Sequence, residues 1–534
     1  MDKISIDHQI RGTNLLRHME TNEIVLIPAP SDDPRDPLHW PQWFKAYIAI
    51  LVCFAQFFGN FVLGGPSIAI VLQAEQFGDH IPKHLAHWIG QASYFITVSS
   101  LLAGLANIFW VPIMTKYGRR PVYVFSLVLV CASSVWCGCA KAYGVELAGR
   151  AILGFALGAV ECVAPCTLAD IFFLHERGFW ISIYFAAVSM GISAGVALSG
   201  LITIGLPWPY IYWIFLAFNG FITILVACTF PETFFHRSAP SSSATQIVAI
   251  EAVSDGAKQI TPAIDNPEIT ETAAPSQKVS PLSDLRIFHG PRTSESLFKI
   301  FCRPLLLVVI PSVLWYIAVM AVNIGGLIIL TTTAPAAFPE YYSFVTWQAG
   351  LTFLAAVIGG FLGVAGGGYF QDKFADYLTR RNRGIREAEF ILPAMVIPTV
   401  TGVLALVLYG AGIQQRWHWI IPTIGIGLQS FALVCCSGIS MVYCIESYRP
   451  IAGEIVVCGL SYKACLAFLL SFYVNPWLAK DGYQTTMGII AALLGFVQSL
   501  ALVFYFCGKT LRKATENWRV LRFIAWPADR EVGE

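Results

Sequence analysis

The sequence predicts an all-α membrane protein with twelve transmembrane helices in two six-helix bundles. Composition is the first reason: the 534 residues are 56% hydrophobic and 13% charged, against a charged fraction of roughly 25% in soluble domains. Hydropathy is the second. Apolar runs occur at about 44–72, 87–112, 121–141, 145–169, 179–204 and 208–230, and again at about 304–330, 347–370, 392–411, 418–446, 452–478 and 484–508. Each run is helix-length for a hydrocarbon core of ~30 Å. The third is the interval between the two sets, Pro231 to Arg303, where SAPSSSATQ and TAAPSQKVSPLSD occur without an apolar period. That is the composition of a disordered linker.

In chain order this gives an N-terminal tail over 1–42, a first bundle over 43–230, a linker over 231–303, a second bundle over 304–508 and a C-terminal tail over 509–534. The tail begins without the basic-then-apolar layout of a cleaved signal peptide, so the first helix is expected to direct insertion. Pro66, Pro112, Pro165, Pro335 and Pro422 fall near run ends or kinks, where neighbouring helices can satisfy the freed backbone groups. Trp40, Trp43, Trp208, Trp347, Trp417, Trp419 and Trp477 mark run boundaries as an aromatic belt.

Charge distribution orients the chain. With the tails and linker on one side, 28 of the 34 Lys and Arg lie there, four (Lys83, Lys141, Arg416, Lys480) lie opposite and two (Arg150, Lys463) lie inside runs. The short loops 113–120 and 371–391 alone hold eight, so the positive-inside rule places the tails and linker in the cytosol. A multi-pass protein of the plasma membrane, working as a monomer, is the expectation.

Formal net charge is +1, which recommends no nucleic-acid partner. Thirteen of the fourteen cysteines lie in apolar runs and read as small buried hydrophobes. No HExxH or paired CxxC occurs, and no nucleophile set or phosphate loop is visible, so neither an enzyme nor a metal or cofactor is expected.

The functional signal lies in charge placed where it is costly. Along Glu146–Arg177 a helix brings Arg150, Gly154, Gly158 and Glu161 onto one stripe, and a charge at mid-membrane costs roughly 2.5–3.5 kcal/mol on insertion scales. Glu161 is the first candidate for proton or cargo, because an apolar cavity favours the neutral carboxyl and lets proton and cationic substrate compete. A permanent structural pairing is the bland alternative. Arg150 pairs with Glu146 at i−4 or reaches the outer headgroups. Lys463 either faces a buried acid or snorkels. Gln56, Asn60, Trp315, Tyr316, Asn323, Ser437, Ser440 and Tyr443 supply polar and aromatic groups for a cavity or for helix packing.

A repeat is also legible. Each half has a basic loop after its second helix, KYGRR at 116–120 and YLTRRNRGIR at 377–386, and an acid at the end of its fourth, Asp170 and Glu446. Arg119 and Arg120 with Asp170, and Arg380 and Arg381 with Glu446 and Asp372, are therefore expected to form two cytosolic gate latches. Parallel repeats of this kind build several transporter folds, with the substrate site between the halves.

PIMTKYGRRPVY, GRAILGFALG, LADIFFLHERG, FPETFFHR, RRNRGIREAE, HWIIP, YRPIAGE and GKTLR, in this order, resemble the major facilitator superfamily, within it the fungal multidrug:proton-antiporter-like branch that also contains cation and polyamine carriers. The likeness runs over most of 40–515. It implies two bundles rocking about a cavity lined by helices 1, 4, 7 and 10, a role for Arg150 in proton transfer, and no nucleotide or prosthetic group. Two positions depart from the pattern: Thr115 stands where the loop signature has an acid, and Val196 stands where the fifth-helix antiporter motif has proline. The expected function is proton-coupled efflux of a small organic compound (drug, toxin or secondary metabolite), with bilayer lipid and protons as partners. The alternatives are uptake of an organic cation such as a polyamine, or a nutrient sensor of the same fold.

Overall fold

The computed structural model describes residues 36–78, 85–235, 296–382, 384–448 and 451–516, with the segment 13–15 and the single positions 290 and 518. Among these, twelve helices are long and apolar enough to cross a membrane. They are α1 (Gln42–Phe77), α2 (His87–Tyr117), α3 (Arg119–Gly138), α4 (Tyr143–Ile171), α5 (Glu176–Gly205) and α6 (Tyr210–Thr229) in the first half. The second half holds α7 (Pro311–Tyr342), α8 (Thr346–Arg381), α9 (Ala388–Gln414), α10 (Ile420–Ser447), α11 (Ala452–Val474) and α12 (Pro476–Thr515). Every expected run is a helix.

The departures from straight helix have local causes. α1 tightens to 3-10 geometry over Gly65–Ala69, where Pro66 lacks the amide that would continue the ladder. α8 widens to a π-turn over Ala365–Phe370, in a run of three glycines. Gly118 has φ 97°, which a side chain would resist, and so permits the abrupt turn from α2 into α3. The linker expected over 231–303 is helical at its end, Leu297–Leu306, and ordered at its start, while 236–289 and 291–295 lie outside the described residues. The C-terminal helix runs past the expected 508 to Thr515. Of the N-terminal tail, Thr13–Leu15 pairs antiparallel with Ile385–Glu387 in the loop before α9.

The halves meet along two seams. α2 lies against α11, where a Cβ on Gly104 would sit 2.0 Å from that of Ala464. α5 lies against α8 and α10: Gly200 faces Trp347 and Gly350, and Ser189 Oγ hydrogen-bonds Ser430 Oγ at 2.7 Å. Small residues let these backbones approach, which in lipid replaces the missing hydrophobic drive between helices. Within the first half, Gly154 and Gly158 of α4 press on the backbone of Ser99 and Ala103 in α2. The glycines of the charged stripe thus serve helix contact, and the residue one turn beyond them reaches the space between the halves.

Candidate functional site

That residue is Glu161. It lines a cavity of about 740 Å³, part of it open to solvent, walled by α1, α2, α4 and α5 from the first half and by α7 and α11 from the second. The walls are mostly apolar, with Gln56, Asn60, Ser100, Glu161, Thr331 and Lys463 as the polar groups. Lys463 Nζ lies 2.5 Å from Glu161 Oε1, with both side chains largely buried. The buried acid therefore has a cationic partner, and the partner comes from the opposite bundle. A short ammonium contact in low dielectric stabilises the ionised carboxylate and offsets much of the cost of burying both charges.

Pro165 shapes the same spot. Four residues after Glu161, it has no amide to donate to the Glu161 carbonyl, and the hydroxyl of Tyr184 on α5 donates there instead, at 3.3 Å. On the other side Asn107 Nδ2 lies 3.5 Å from Glu161 Oε2, at the limit of a hydrogen bond.

Arg150 is fully buried rather than snorkelling. Its Nη1 donates to the Val62 carbonyl at 2.9 Å, next to the break in α1, and its Nε is 3.4 Å from Glu146 Oε1. Tyr212 donates to the same carboxylate oxygen at 2.5 Å. Arg150 therefore braces α1, α4 and α6 and does not border the cavity.

At the basic-loop end, Arg119 forms an ion pair with Asp170 and donates to the Cys166 carbonyl at 2.8 Å. Arg120 Nη2 donates to the Ala227 carbonyl at 2.8 Å. Glu232, from the start of the expected linker, accepts from the backbone amides of Arg119 (3.0 Å) and Arg120 (3.3 Å). An acid at the amide-rich start of α3 is favourably placed.

The second-half latch differs from expectation. Glu446 is held by Arg386, whose Nη2 and Nε lie 2.7 Å and 3.3 Å from its two oxygens, not by Arg380 or Arg381. Arg380 pairs along its own helix with Asp376 at 2.8 Å, and Arg381 is exposed. The reason is the chain path: both belong to the last turn of α8, whereas Gly384 (φ 79°) turns the chain into the short strand that aims Arg386 inward. Burial opposes the Arg386 charge, but the carboxylates of Glu446 and Asp372 more than offset it and raise its guanidinium above the ordinary range. Asp372 itself crosses to α5, where it accepts from the Phe179 amide and where a Cβ on Gly178 would meet it at 2.3 Å.

Trp315, Tyr316, Asn323 and Tyr443 lie inside the second bundle and do not line the cavity. Trp315 donates to the Val497 carbonyl at 3.0 Å and packs edge-on against Tyr443 and tilted against Phe504. Asn323 Oδ1 accepts from Gln498 at 3.1 Å, joining α7 to α12. Ile324, Ile328 and Thr331 are the face that α7 gives to the cavity. α10 gives none, because it is spent on α5 through contacts such as Ser430 with Ser189. Gln56 and Asn60 do line the cavity. The sequence does not anticipate Asn107, Tyr184, Glu232 or Arg386 as partners; for Arg386 the available signal is Gly384 shortly before it, suited to the turn that separates the strand Ile385–Glu387 from α8.

Two bundles of six membrane helices, enclosing a charged but paired cavity at their interface, have the architecture of a membrane carrier. The chain belongs to the Major Facilitator Superfamily, whose family model matches residues 49–453. Similar proteins include an uncharacterized MFS-type transporter of Schizosaccharomyces pombe, 26% identical over 92% of this chain and 89% of that protein. Protein HOL1 of Saccharomyces cerevisiae is 24% identical over 93% and 91%, and MFS transporter cpaT of Aspergillus oryzae is 24% identical over 79% of each. Among solved structures, the fold is shared with the proton:xylose symporter XylE of E. coli at TM-score 0.61 and 14% identity, covering 90% of this chain and 100% of that one. It is shared too with the human organic anion transporter MFSD10 (TM-score 0.57, 15% identity, 86% and 100% covered).

Proposed function

We propose that this carrier is a proton-coupled secondary transporter that exports a small organic compound by alternating access, with its termini in the cytosol. The carrying observation is that Glu161 of α4 and Lys463 of α11, one from each bundle, meet at 2.5 Å in the cavity wall. Protonation of Glu161 removes the charge that holds Lys463, so a proton loosens a contact between the two bodies that must move. The groups around this switch are Lys463 from α11, Asn107 from α2, Tyr184 from α5 at the backbone carbonyl, and Tyr316 from α7 as a more distant electrostatic neighbour. Arg119 with Asp170 and Arg386 with Glu446 serve as latches at the basic-loop end, one per bundle.

The concentration of Lys and Arg on the loops 113–120 and 371–391 supports cytosolic termini, and a plasma-membrane monomer is the simplest setting. Uptake of a polyamine is less well supported than export of another organic compound, because Glu161 is already occupied by an ammonium of the protein. The test is a comparison of compounds retained by cells with and without the protein, followed by flux measurements in proteoliposomes of known orientation. Accumulation inside cells lacking the protein supports export; depletion in those cells supports uptake.

A further inference from the structure

The Glu161–Lys463 pair has unused bonding capacity, and that capacity has a charge pattern. Lys463 Nζ has three donors, of which one goes to Glu161 Oε1. Among the described residues, Glu161 Oε2 receives only the 3.5 Å contact from Asn107. Beside them Ser100 Oγ is buried in the cavity wall with no hydrogen-bond partner among the described residues, and Gln56 lines the same space. Both residues line the cavity, Glu161 with 14% of its side chain exposed and Lys463 with 4%, so the pair offers it a carboxylate and an ammonium side by side, of zero net charge.

A cation drawn to Oε2 is repelled by Lys463 at nearly the same distance, and an anion drawn to Nζ is repelled by Glu161. A molecule carrying both charges aligns antiparallel to the pair, gains two attractive contacts and leaves the protein's own bridge in place. A ligand bearing one charge can gain full contact only by displacing the other partner, which leaves an uncompensated buried ion. Around this polar spot, Leu157, Val188, Ile192, Ile324 and Ile328 supply aliphatic wall.

We propose that the cavity selects zwitterionic cargo: a compact molecule with an ammonium and a carboxylate close together on an aliphatic body, its amine at Glu161 Oε2 and its carboxylate at Lys463 Nζ. This rests on the transporter reading only in treating the cavity as the cargo site, and it assigns the charge class that that reading leaves open.

The experiment measures binding to the purified full-length protein by isothermal titration, using three probes of one shape: leucine, isopentylamine (no carboxylate) and 4-methylpentanoate (no amine). Leucine is expected to bind roughly 10- to 100-fold more tightly than either single-charge probe, the ratio for one charged hydrogen bond. Lys463→Met should abolish the advantage over isopentylamine, and Glu161→Gln the advantage over 4-methylpentanoate. Equal binding of either single-charge probe, no binding of leucine, or unchanged selectivity in both variants overturns the proposal. Leucine binding without flux in proteoliposomes would leave the charge class standing and remove the transporter reading, so the two fail separately.

Discussion

Lys463 on α11 reaches across the central cavity to Glu161 on α4, closing an ion pair of 2.5 Å between the two bundles. An intramembrane acid and an intramembrane base, far apart in sequence, thereby resolve each other's burial. The first prediction is energetic. Lys463→Met leaves Glu161 without its partner and should lower unfolding stability by roughly 3–5 kcal/mol, whereas the double variant with Glu161→Leu should recover most of it. Chemical unfolding in detergent measures the cycle, and additive single losses would mean that the two side chains do not interact.

The latch at Asp170 predicts a labelling pattern. Arg119 holds both the Asp170 carboxylate and the Cys166 carbonyl, so Asp170→Asn should loosen the end of α4 and expose Cys166. A loss of 1–2 kcal/mol corresponds to roughly 5- to 30-fold faster alkylation. Mass spectrometry of maleimide-treated protein reads Cys166 separately from the other cysteines, and an unchanged rate at that site would argue against the latch.

Pro165 and Tyr184 should be coupled. In the native chain Tyr184→Phe removes the donor to the Glu161 carbonyl and should cost about 1 kcal/mol. With Pro165→Ala in place the helix supplies its own amide, and the same substitution should cost almost nothing. Thermal unfolding of the four proteins distinguishes this from simple additivity.

The α2–α11 seam depends on Gly104, where a Cβ would lie 2.0 Å from that of Ala464. Gly104→Val should force the helices apart and cost about 1–3 kcal/mol, as overpacking does, while Gly90→Val, whose added Cβ meets nothing within 4 Å, should be tolerated. Similar melting temperatures for the two variants would contradict the close packing.

Much of this was legible in the sequence because it is written in single residues. A 20-residue apolar run signals its helix whatever it packs against, so all twelve were readable, as were the costly charges Arg150, Glu161 and Lys463. Pairing was less readable because it depends on which helix faces which. Glu161 and Lys463 are 302 positions apart, and nothing local joins them. Arg380, Arg381 and Arg386 belong to one basic stretch of sequence, and only the end of α8 and the backbone turn at Gly384 decide which of them points inward. The sequence leaves Trp315, Tyr316 and Tyr443 open between cavity and helix packing, because only the rotation of each helix decides which face meets the cavity. Sequence hydropathy does not resolve that rotation when a helix is apolar all round, as α7 is.

The central claim, that proton exchange at Glu161 drives transport, is tested most directly in proteoliposomes under an imposed pH gradient, with a compound identified by the cell comparison. The native protein should accumulate the compound against its gradient. Glu161→Gln should abolish gradient-driven accumulation while retaining exchange of compound for compound. Undiminished gradient-driven accumulation by Glu161→Gln would contradict the account.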